Sequence, residues 1–260
     1  MNTWFLAGVG ASLATVVYAQ APVPVAAPEA AAPELPWKTT VAAGASVTRG
    51  NSETMSYNGS AISSFKQGNN ELRMGVEGNY GESQVTQGSG TNLTKKTNTN
   101  INNARVFGEY RRLLTERNYV YGNAELLTDD IADIDYRLMV GPGVGRYFLK
   151  SDRQKLSGET GLTYIRTKQA GNPDDTVALR MAERYDLKLS ATATFWESLE
   201  YLPSVDDFSR HLINSEVGLE AAINSKVSLR VVFQDKYNSD PAPDKEKNDL
   251  ALIAGLSCKL

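Results

Sequence analysis

The sequence contains little of what marks several familiar classes of protein. It has one cysteine, Cys258, and therefore cannot form an internal disulfide. Its 27 Lys and Arg residues nearly balance its 30 Asp and Glu residues, and no segment is a block of like charge. Because a nucleic-acid surface needs a basic patch, no nucleic-acid partner is expected. Beyond the N-terminus there is no apolar run of about 20 residues, which excludes a helical membrane protein.

The N-terminus has the pattern of an export signal. An apolar stretch runs from Trp4 to Val17 and is followed by small residues at Ala19 and Ala21, which suit signal peptidase. We therefore predict a signal peptide over residues 1–21, with a buried N-terminal helix as the alternative. Residues 22–36 are mainly Ala, Pro, Val and Glu, a composition that cannot build a core and predicts an extended periplasmic linker.

After the linker, apolar and polar residues alternate with a period of two, the pattern of β-strands. In "WKTTVAAGASVT" the apolar face holds Trp37, Val41 and Val47, and the opposite face holds Lys38 and Thr48. About twelve such segments follow one another to the end of the chain. They lie near 37–48, 54–66, 70–81, 98–113, 118–128, 134–149, 155–168, 176–189, 191–202, 208–223, 226–237 and 248–260.

The connections between these segments alternate in length. Those after even-numbered strands are tight, whereas longer polar loops are predicted after odd-numbered strands at 82–97, 168–175 and 238–248. Outer-membrane barrels have short periplasmic turns, longer external loops and an even number of strands, and half of each strand faces a polar interior. A soluble sandwich has no reason to sort loops in this way, and a propeller needs repeats that are absent here. We predict an all-β fold over residues 37–260, an up-and-down antiparallel transmembrane β-barrel of about 12 strands.

The final segment, "NDLALIAGLSCKL", shows the alternation most clearly. Leu250, Leu252 and Leu256 share one face, which we interpret as the lipid face, and Lys259 is expected to point inward. If this strand closes the barrel on the strand that begins at Trp37, Ala43 should lie within two residues of Ala254 in register. Aromatic residues are expected to form girdles at the two membrane interfaces, with cross-strand packing in a soluble sheet as the alternative. They are Trp37, Tyr110, Tyr119, Phe148, Phe195 and Trp196 near turns, and Tyr57, Tyr80, Tyr136, Tyr164, Tyr201 and Tyr237 near loops.

Charged residues of both signs recur on the face predicted to point inward. A hydrated interior tolerates such charges, whereas a dry core would require each one to be paired. The sequence leaves open whether they line an open channel or close it. The predicted lumen-facing charges are Arg73, Glu77, Asp135, Arg137, Glu159, Arg180, Arg184, Glu216, Glu220 and Arg230.

A stripe of glycines marks one strand. Glycine recurs at every second position, at Gly141, Gly143 and Gly145, so one side of the strand carries no side chains there. No helix and no Lys-Ser or Lys-Thr pair follows, so the stripe is not a phosphate loop. We predict that it makes room for large inward side chains from neighbouring strands or permits barrel curvature.

Two features of the sequence are candidates for a functional site. The only histidine, His211, lies near Asp206 and Asp207, but Ser215 on the same face would be about 13 Å away, too far for a nucleophile and its base. No catalytic residue, metal ligand or cofactor site is therefore predicted, and the protein is not expected to be an enzyme. Acidic residues in predicted external loops could bind a divalent cation, but they lack the calcium-loop spacing and are interpreted as solvated. They are Asp129, Asp130, Asp133, Asp135, Asp174 and Asp175.

The order and spacing of several motifs resemble the YdiY-like salt-stress-induced outer-membrane proteins, a Gram-negative family of unknown function. The motifs are "SVTRGNSET", "DYRLMVGPGVGRYF", "YLPSVDD" and "YNSDPAPDKEKND", and the resemblance covers the chain from about Trp37 onward. It implies a barrel in the outer membrane, with no established ligand or reaction. Its partners would be outer-membrane lipid and the barrel-assembly machinery, which reads the C-terminal strand, commonly through an aromatic residue where this chain has Leu260.

These observations favour a passive pore for small solutes or a structural, stress-response protein of the envelope. A surface binding or sensing protein that uses the acidic external loops is the alternative. An outer-membrane hydrolase ranks last, because nothing in the sequence assembles a catalytic group.

Overall fold

The computed structural model describes residues 36–48, 53–89 and 92–260. The predicted signal peptide, almost all of the predicted linker and the motif residues Gly50, Asn51 and Ser52 lie outside these residues. None of the residues within these ranges belongs to a helix with the length and apolarity needed to cross a bilayer.

Twelve antiparallel strands form a closed barrel. Each strand pairs with the next along the chain, and the last strand pairs with the first, so the prediction of an up-and-down barrel of about 12 strands is confirmed. The strands are β1 (Trp37–Thr48), β2 (Glu53–Gln67), β3 (Asn70–Ser89), β4 (Asn92–Leu113), β5 (Asn118–Asp129), β6 (Ile134–Lys150), β7 (Gln154–Gln169), β8 (Asn172–Lys188), β9 (Ala193–Pro203), β10 (His211–Ala222), β11 (Val227–Asn238) and β12 (Asn248–Lys259). We call the end that holds Trp37 and Lys259 the terminal rim, and the opposite end the loop rim.

The barrel closes where β1 meets β12. In this closing pair Thr40 faces Lys259 and Ala43 faces Leu256. Over these four residue pairs the backbone donors and acceptors that face the closure find partners within the barrel. The register lies two residues from Ala254, the partner that the sequence suggested for Ala43.

Cysteines on the two sides of the closing pair are expected to form a disulfide. The variant is Ala43→Cys with Leu256→Cys in a Cys258→Ser background, since directly opposite residues have Cβ atoms about 4.5–5.5 Å apart. Oxidation should produce a cross-linked species on non-reducing gels. The control pair, Ala43→Cys with Leu250→Cys, should not cross-link, and equal cross-linking of both pairs would contradict this register.

Two of the predicted long loops are strand instead. β3 and β4 remain paired as far as Ser89 with Asn92, and β7 and β8 as far as Gln169 with Asn172. The predicted loops at 82–97 and 168–175 are therefore wrong, although the longer connections at 204–210 and 239–247 remain. The Ser, Thr, Gln and Asn residues of the first hairpin suit a strand in water, because ladder hydrogen bonds join backbone groups and need no apolar face. Polar composition predicts solvent exposure but not the end of a strand.

The two faces of the barrel differ in chemistry. Large apolar side chains cover the outer face, and on β12 the predicted lipid-facing leucines are among them, with Leu252 74% exposed. The positions between them point inward, where Lys259 pairs with Glu220 at 3.2 Å. The apolar outer face on the other strands includes Val106, Val120, Leu138, Val140, Val144, Leu162, Val177, Leu199, Leu219, Leu229, Val231 and Phe233.

Candidate functional site: the charged lumen

The glycine stripe of β6 gives two tyrosines room to lie against the inner wall. A Cβ atom at Gly143 would overlap the ring of Tyr121, and one at Gly145 would overlap the ring of Tyr119. Both rings come from β5, which pairs with β6 through these positions. The prediction that the stripe admits large inward side chains from a neighbouring strand is confirmed.

A buried carboxylate joins two arginines near the terminal rim. Glu159 forms ion pairs with Arg111 at 2.8 Å and with Arg180 at 2.7 Å, and it accepts a hydrogen bond from Tyr119 at 2.8 Å. Its side chain is 5% exposed, whereas Arg180 is 10% and Arg111 is 16% exposed. We call Arg111, Tyr119, Tyr147, Glu159 and Arg180 the Glu159 layer. The two guanidiniums compensate the buried negative charge of Glu159.

The Glu159 layer continues into neighbouring strands through further polar contacts. Arg180 also donates to Glu200 at 2.6 Å and to Tyr121 at 2.9 Å. Tyr147 is fully buried and donates to Glu71 at 2.9 Å, while Arg111 pairs with Glu109. These contacts connect β3, β4, β5, β6, β7, β8 and β9, so one network spans much of the lumen at this level.

A cavity of about 410 Å³ inside the barrel is lined in part by Glu200, the partner of Arg180, and extends to the loop rim. On its wall, Arg105 pairs with Glu77 at 3.2 Å and with Glu125 at 2.8 Å. Nearer the loop rim, Pro241 and Lys245 of the 239–247 connection also line it. The cavity thus reaches from the charged interior to the longest described loop.

Arg73, Arg184 and Arg230 line the deepest part of this cavity, and we call them the floor arginines. Arg184 is bound by Asp186 on its own strand at 2.9 Å. Within the described residues, Arg73 and Arg230 form no ion pair; Arg73 lies over the ring of Phe107 at 4.9 Å and Arg230 over that of Trp196 at 4.9 Å. The buried Nε of Arg230 has no hydrogen-bond partner.

The carboxylate among the floor arginines is already occupied by neutral donors. Glu216 accepts hydrogen bonds from the indole of Trp196 at 2.7 Å and from the amide of Gln234 at 2.8 Å. The floor therefore holds guanidinium groups whose donors are not all used. Such groups attract oxyanions, since a guanidinium presents paired N–H donors to a carboxylate.

The structure places nine of the ten predicted lumen charges on the inner face. Six of them line the 410 Å³ cavity, two belong to the Glu159 layer and the last, Glu220, pairs with Lys259. The six are Arg73, Glu77, Arg137, Arg184, Glu216 and Arg230. In contrast to the pairs above, Arg137 meets only a hydroxyl, donating to Thr167 at 3.2 Å.

Asp135 differs from the prediction. Its side chain is about half exposed and pairs with Lys168 at 3.0 Å, away from the lumen. The register of β6 against β7 shifts between Ile134 and Tyr136, so strict alternation fails at this point. Ile134 and Arg137 consequently both point inward, although they are three residues apart.

Sequence reasoning missed the aromatic part of the lumen. Tyr119 and Trp196 were predicted in the membrane girdle, but they are 1% and 7% exposed and bond to Glu159 and Glu216 inside the barrel. The alternation along β5 could have shown this for Tyr119, because Tyr119 and Glu125 are an even number of residues apart and therefore lie on the same face. Proximity to a turn does not decide which face a ring occupies.

His211 and the acidic loop residues contact neighbouring groups at the loop rim. The ring of His211 lies between Tyr201 and Tyr237, 5.5 Å from each, and its Nδ1 contacts the backbone carbonyl of Ser209. Hydrogen bonds from Ser209 lower the pKa of Asp207 in the same loop below its ordinary value. Asp174 is bound by Arg210. In the part of the chain that the structure describes, no three His, Cys, Asp or Glu residues are placed to hold a metal ion.

Comparison with known proteins agrees with the resemblance seen in the sequence. One relative, "Uncharacterized protein YdiY" of Escherichia coli (strain K12), is 29% identical over 171 residues, which are 62% of this chain and just under two thirds, 66%, of that protein. Among solved structures, the NanC porin has a TM-score of 0.49 at 10% identity over 85% of this chain and 96% of its own. The KdgM porin has a TM-score of 0.44 at 10% identity over 85% and 98%. A family described as "Protein of unknown function, DUF481" matches residues 41–259, and the chain belongs to this family.

Proposed function

We propose that the protein spans the bacterial outer membrane and gives small polar solutes passive passage through its lumen. The observation that carries the proposal is the inverted chemistry of the barrel, apolar outside and charged inside. A soluble protein buries its apolar side chains, whereas lipid favours them on the surface of a closed barrel. Outer-membrane lipid is then the surrounding partner, and the barrel-assembly machinery would engage β12.

The apolar outer band is close in height to that of known outer-membrane barrels. Exposed aromatic side chains lie at both ends, with Tyr110 and Phe148 towards the terminal rim and Tyr57, Tyr80 and Tyr164 towards the loop rim. By the strand registers about eight residues separate the two sets, and at about 3.3 Å per residue with a tilt near 40° they span roughly 20 Å. The apolar band of outer-membrane barrels is about 25 Å tall.

The interior suits slow passage of small solutes better than an open channel. Solutes would enter the 410 Å³ cavity from the loop rim and pass the Glu159 layer on the way to the terminal rim. The ring of Tyr119 and the guanidiniums of Arg111 and Arg180 occupy the lumen there. This layer is the narrow part of the proposed path, and its polar groups favour water and ions over apolar solutes.

Conductance in planar bilayers tests the proposal. We expect the purified protein to give small, reproducible conductance steps, and Tyr119→Ala to raise them several-fold because it removes a ring from the Glu159 layer. Tyr110→Ala removes a ring of the same size from the outer face and should leave conductance unchanged. Absence of conductance in both the native protein and Tyr119→Ala, with the barrel folded on unheated gels, would refute passage of solutes.

A further inference from the structure

We infer that the floor of the lumen cavity is a binding site for a small organic anion that carries two or more carboxylate groups. The site is built by Arg73, Arg184 and Arg230, with Phe107 and Trp196 beneath two of the guanidiniums. This inference deepens the proposed function and rests on it only for access to the cavity from the loop rim.

The first argument is the unused hydrogen-bonding capacity of two arginines. Four other lumen arginines, Arg105, Arg111, Arg180 and Arg184, have carboxylate partners. Arg73 and Arg230 have none among the described residues and lie over aromatic rings. A guanidinium taken partly out of water and left without an anion is costly. The buried Nε of Arg230 has no hydrogen-bond partner among the described residues. A ligand oxygen that accepted a hydrogen bond from it would offset this cost.

The second argument is that nearby carboxylates have other partners and form no ion pair with Arg73 or Arg230 among the described residues. Glu216 is held by Trp196 and Gln234, and Asp186 is engaged by Arg184. An incoming carboxylate therefore displaces no ion pair at Arg73 or Arg230. The aromatic faces support this arrangement, because a ring attracts a guanidinium without using its N–H donors as a carboxylate would.

The third argument is spacing, which selects a ligand with more than one anionic group. Arg73 is on β3 and Arg230 is on β11, and β2, β1 and β12 lie between them in the barrel wall. At about 4.8 Å per strand the two Cα positions are roughly 19 Å apart along the wall. The side chains reach inward from different sides of the lumen, so one small oxyanion cannot satisfy both, whereas two carboxylates on one molecule can.

The fourth argument is size and approach. A volume of about 410 Å³ falls within the range of small-molecule sites and suits a ligand of one ring or a short carbon chain. Lys236 and Lys245 line the cavity towards the loop rim, and four acidic residues lie there as well: Asp129, Asp244, Glu246 and Asp249. Charges of both signs at the mouth and guanidiniums at the floor place the anion preference at the deepest part of the cavity.

Calorimetric titration of the full, detergent-solubilised protein with citrate, at constant ionic strength, tests the inference. We expect saturable binding of citrate and none of glucose, and we expect Arg73→Gln and Arg230→Gln each to weaken citrate binding about tenfold or more, as loss of a charged hydrogen bond does. Arg146→Gln, which removes an arginine from the exposed outer face, is the matched control and should bind citrate normally. Heat-dependent migration on gels would verify that each variant is folded.

The outcomes separate this inference from the proposed function. Citrate binding without bilayer conductance would support the binding site and refute the proposed pore. Conductance without citrate binding would refute the binding site alone. Inorganic phosphate provides the remaining arm. If phosphate binds as tightly as citrate, or if the two glutamine variants bind citrate like the native protein, the floor arginines do not bridge two carboxylates and the inference is wrong.

Discussion

Glu159→Leu is expected to lower the free energy of unfolding by about 3 kcal/mol, the scale seen when one partner of a buried ion pair is removed. The substitution leaves Arg111 and Arg180 facing each other without the carboxylate that joins them, and it removes the acceptor of the Tyr119 hydroxyl. Unfolding of the detergent-solubilised barrel in guanidinium, followed by tryptophan fluorescence, would measure the loss.

Glu183→Leu is the control for that change. Glu183 lies on β8 like Arg180, but on the exposed outer side, and the described residues give it no ion pair. An apolar residue there meets lipid in the proposed orientation, so stability should be kept or raised. Equal destabilisation by the two leucine substitutions would show that the Glu159 layer contributes no more than any other carboxylate.

Val231→Arg is expected to lower the free energy of unfolding by roughly 2–4 kcal/mol if this position lies at the bilayer midplane. Charged residues on the lipid face of a barrel destabilise it by this amount. Val231 lies on the outer face near the middle of β11, opposite Ala254 of β12 and Leu219 of β10. Folding of the variant into phospholipid vesicles, followed by reversible unfolding, would give the free-energy difference.

Val205→Arg provides the matched control for the midplane substitution. Val205 is 44% exposed, comparable with 37% for Val231, but it lies in the 204–210 connection at the loop rim. Water solvates an arginine there, so the change should be nearly neutral. Similar costs at both positions, or no cost at Val231, would argue against burial of the outer face in lipid.

The strand order and the two faces could be predicted because both follow from alternation along single strands. β12 is the clearest case, since its leucine face is exposed and Lys259 points inward as expected. In contrast, the paired ends of β3 and β4 were predicted as a loop. Hydrogen bonding across that hairpin depends on a partner strand and leaves no apolar signal in either sequence.

The contacts that define the lumen could not be predicted, because they join strands that are distant in sequence. Glu159 was predicted to face inward, but nothing local indicates that Arg111 and Arg180 meet on it. The position of Asp135 could not be predicted for a different reason, since the register shift between Ile134 and Tyr136 interrupts the alternation at this residue. The glycine stripe was informative because empty space next to a strand implies a large neighbour.

The closing pair has a consequence for how the cylinder forms. β1 pairs with β12 from Thr40 to Ala43, whereas it pairs with β2 over its whole length from Trp37 to Thr48. Fewer backbone hydrogen bonds hold the two chain ends to each other than hold neighbouring strands, and their closure also requires the most distant parts of the sequence to meet. The ten intervening strands can therefore pair with one another as an open, curled sheet before β1 and β12 pair. Opening of the finished cylinder would need the least free energy along this same short β1–β12 pairing.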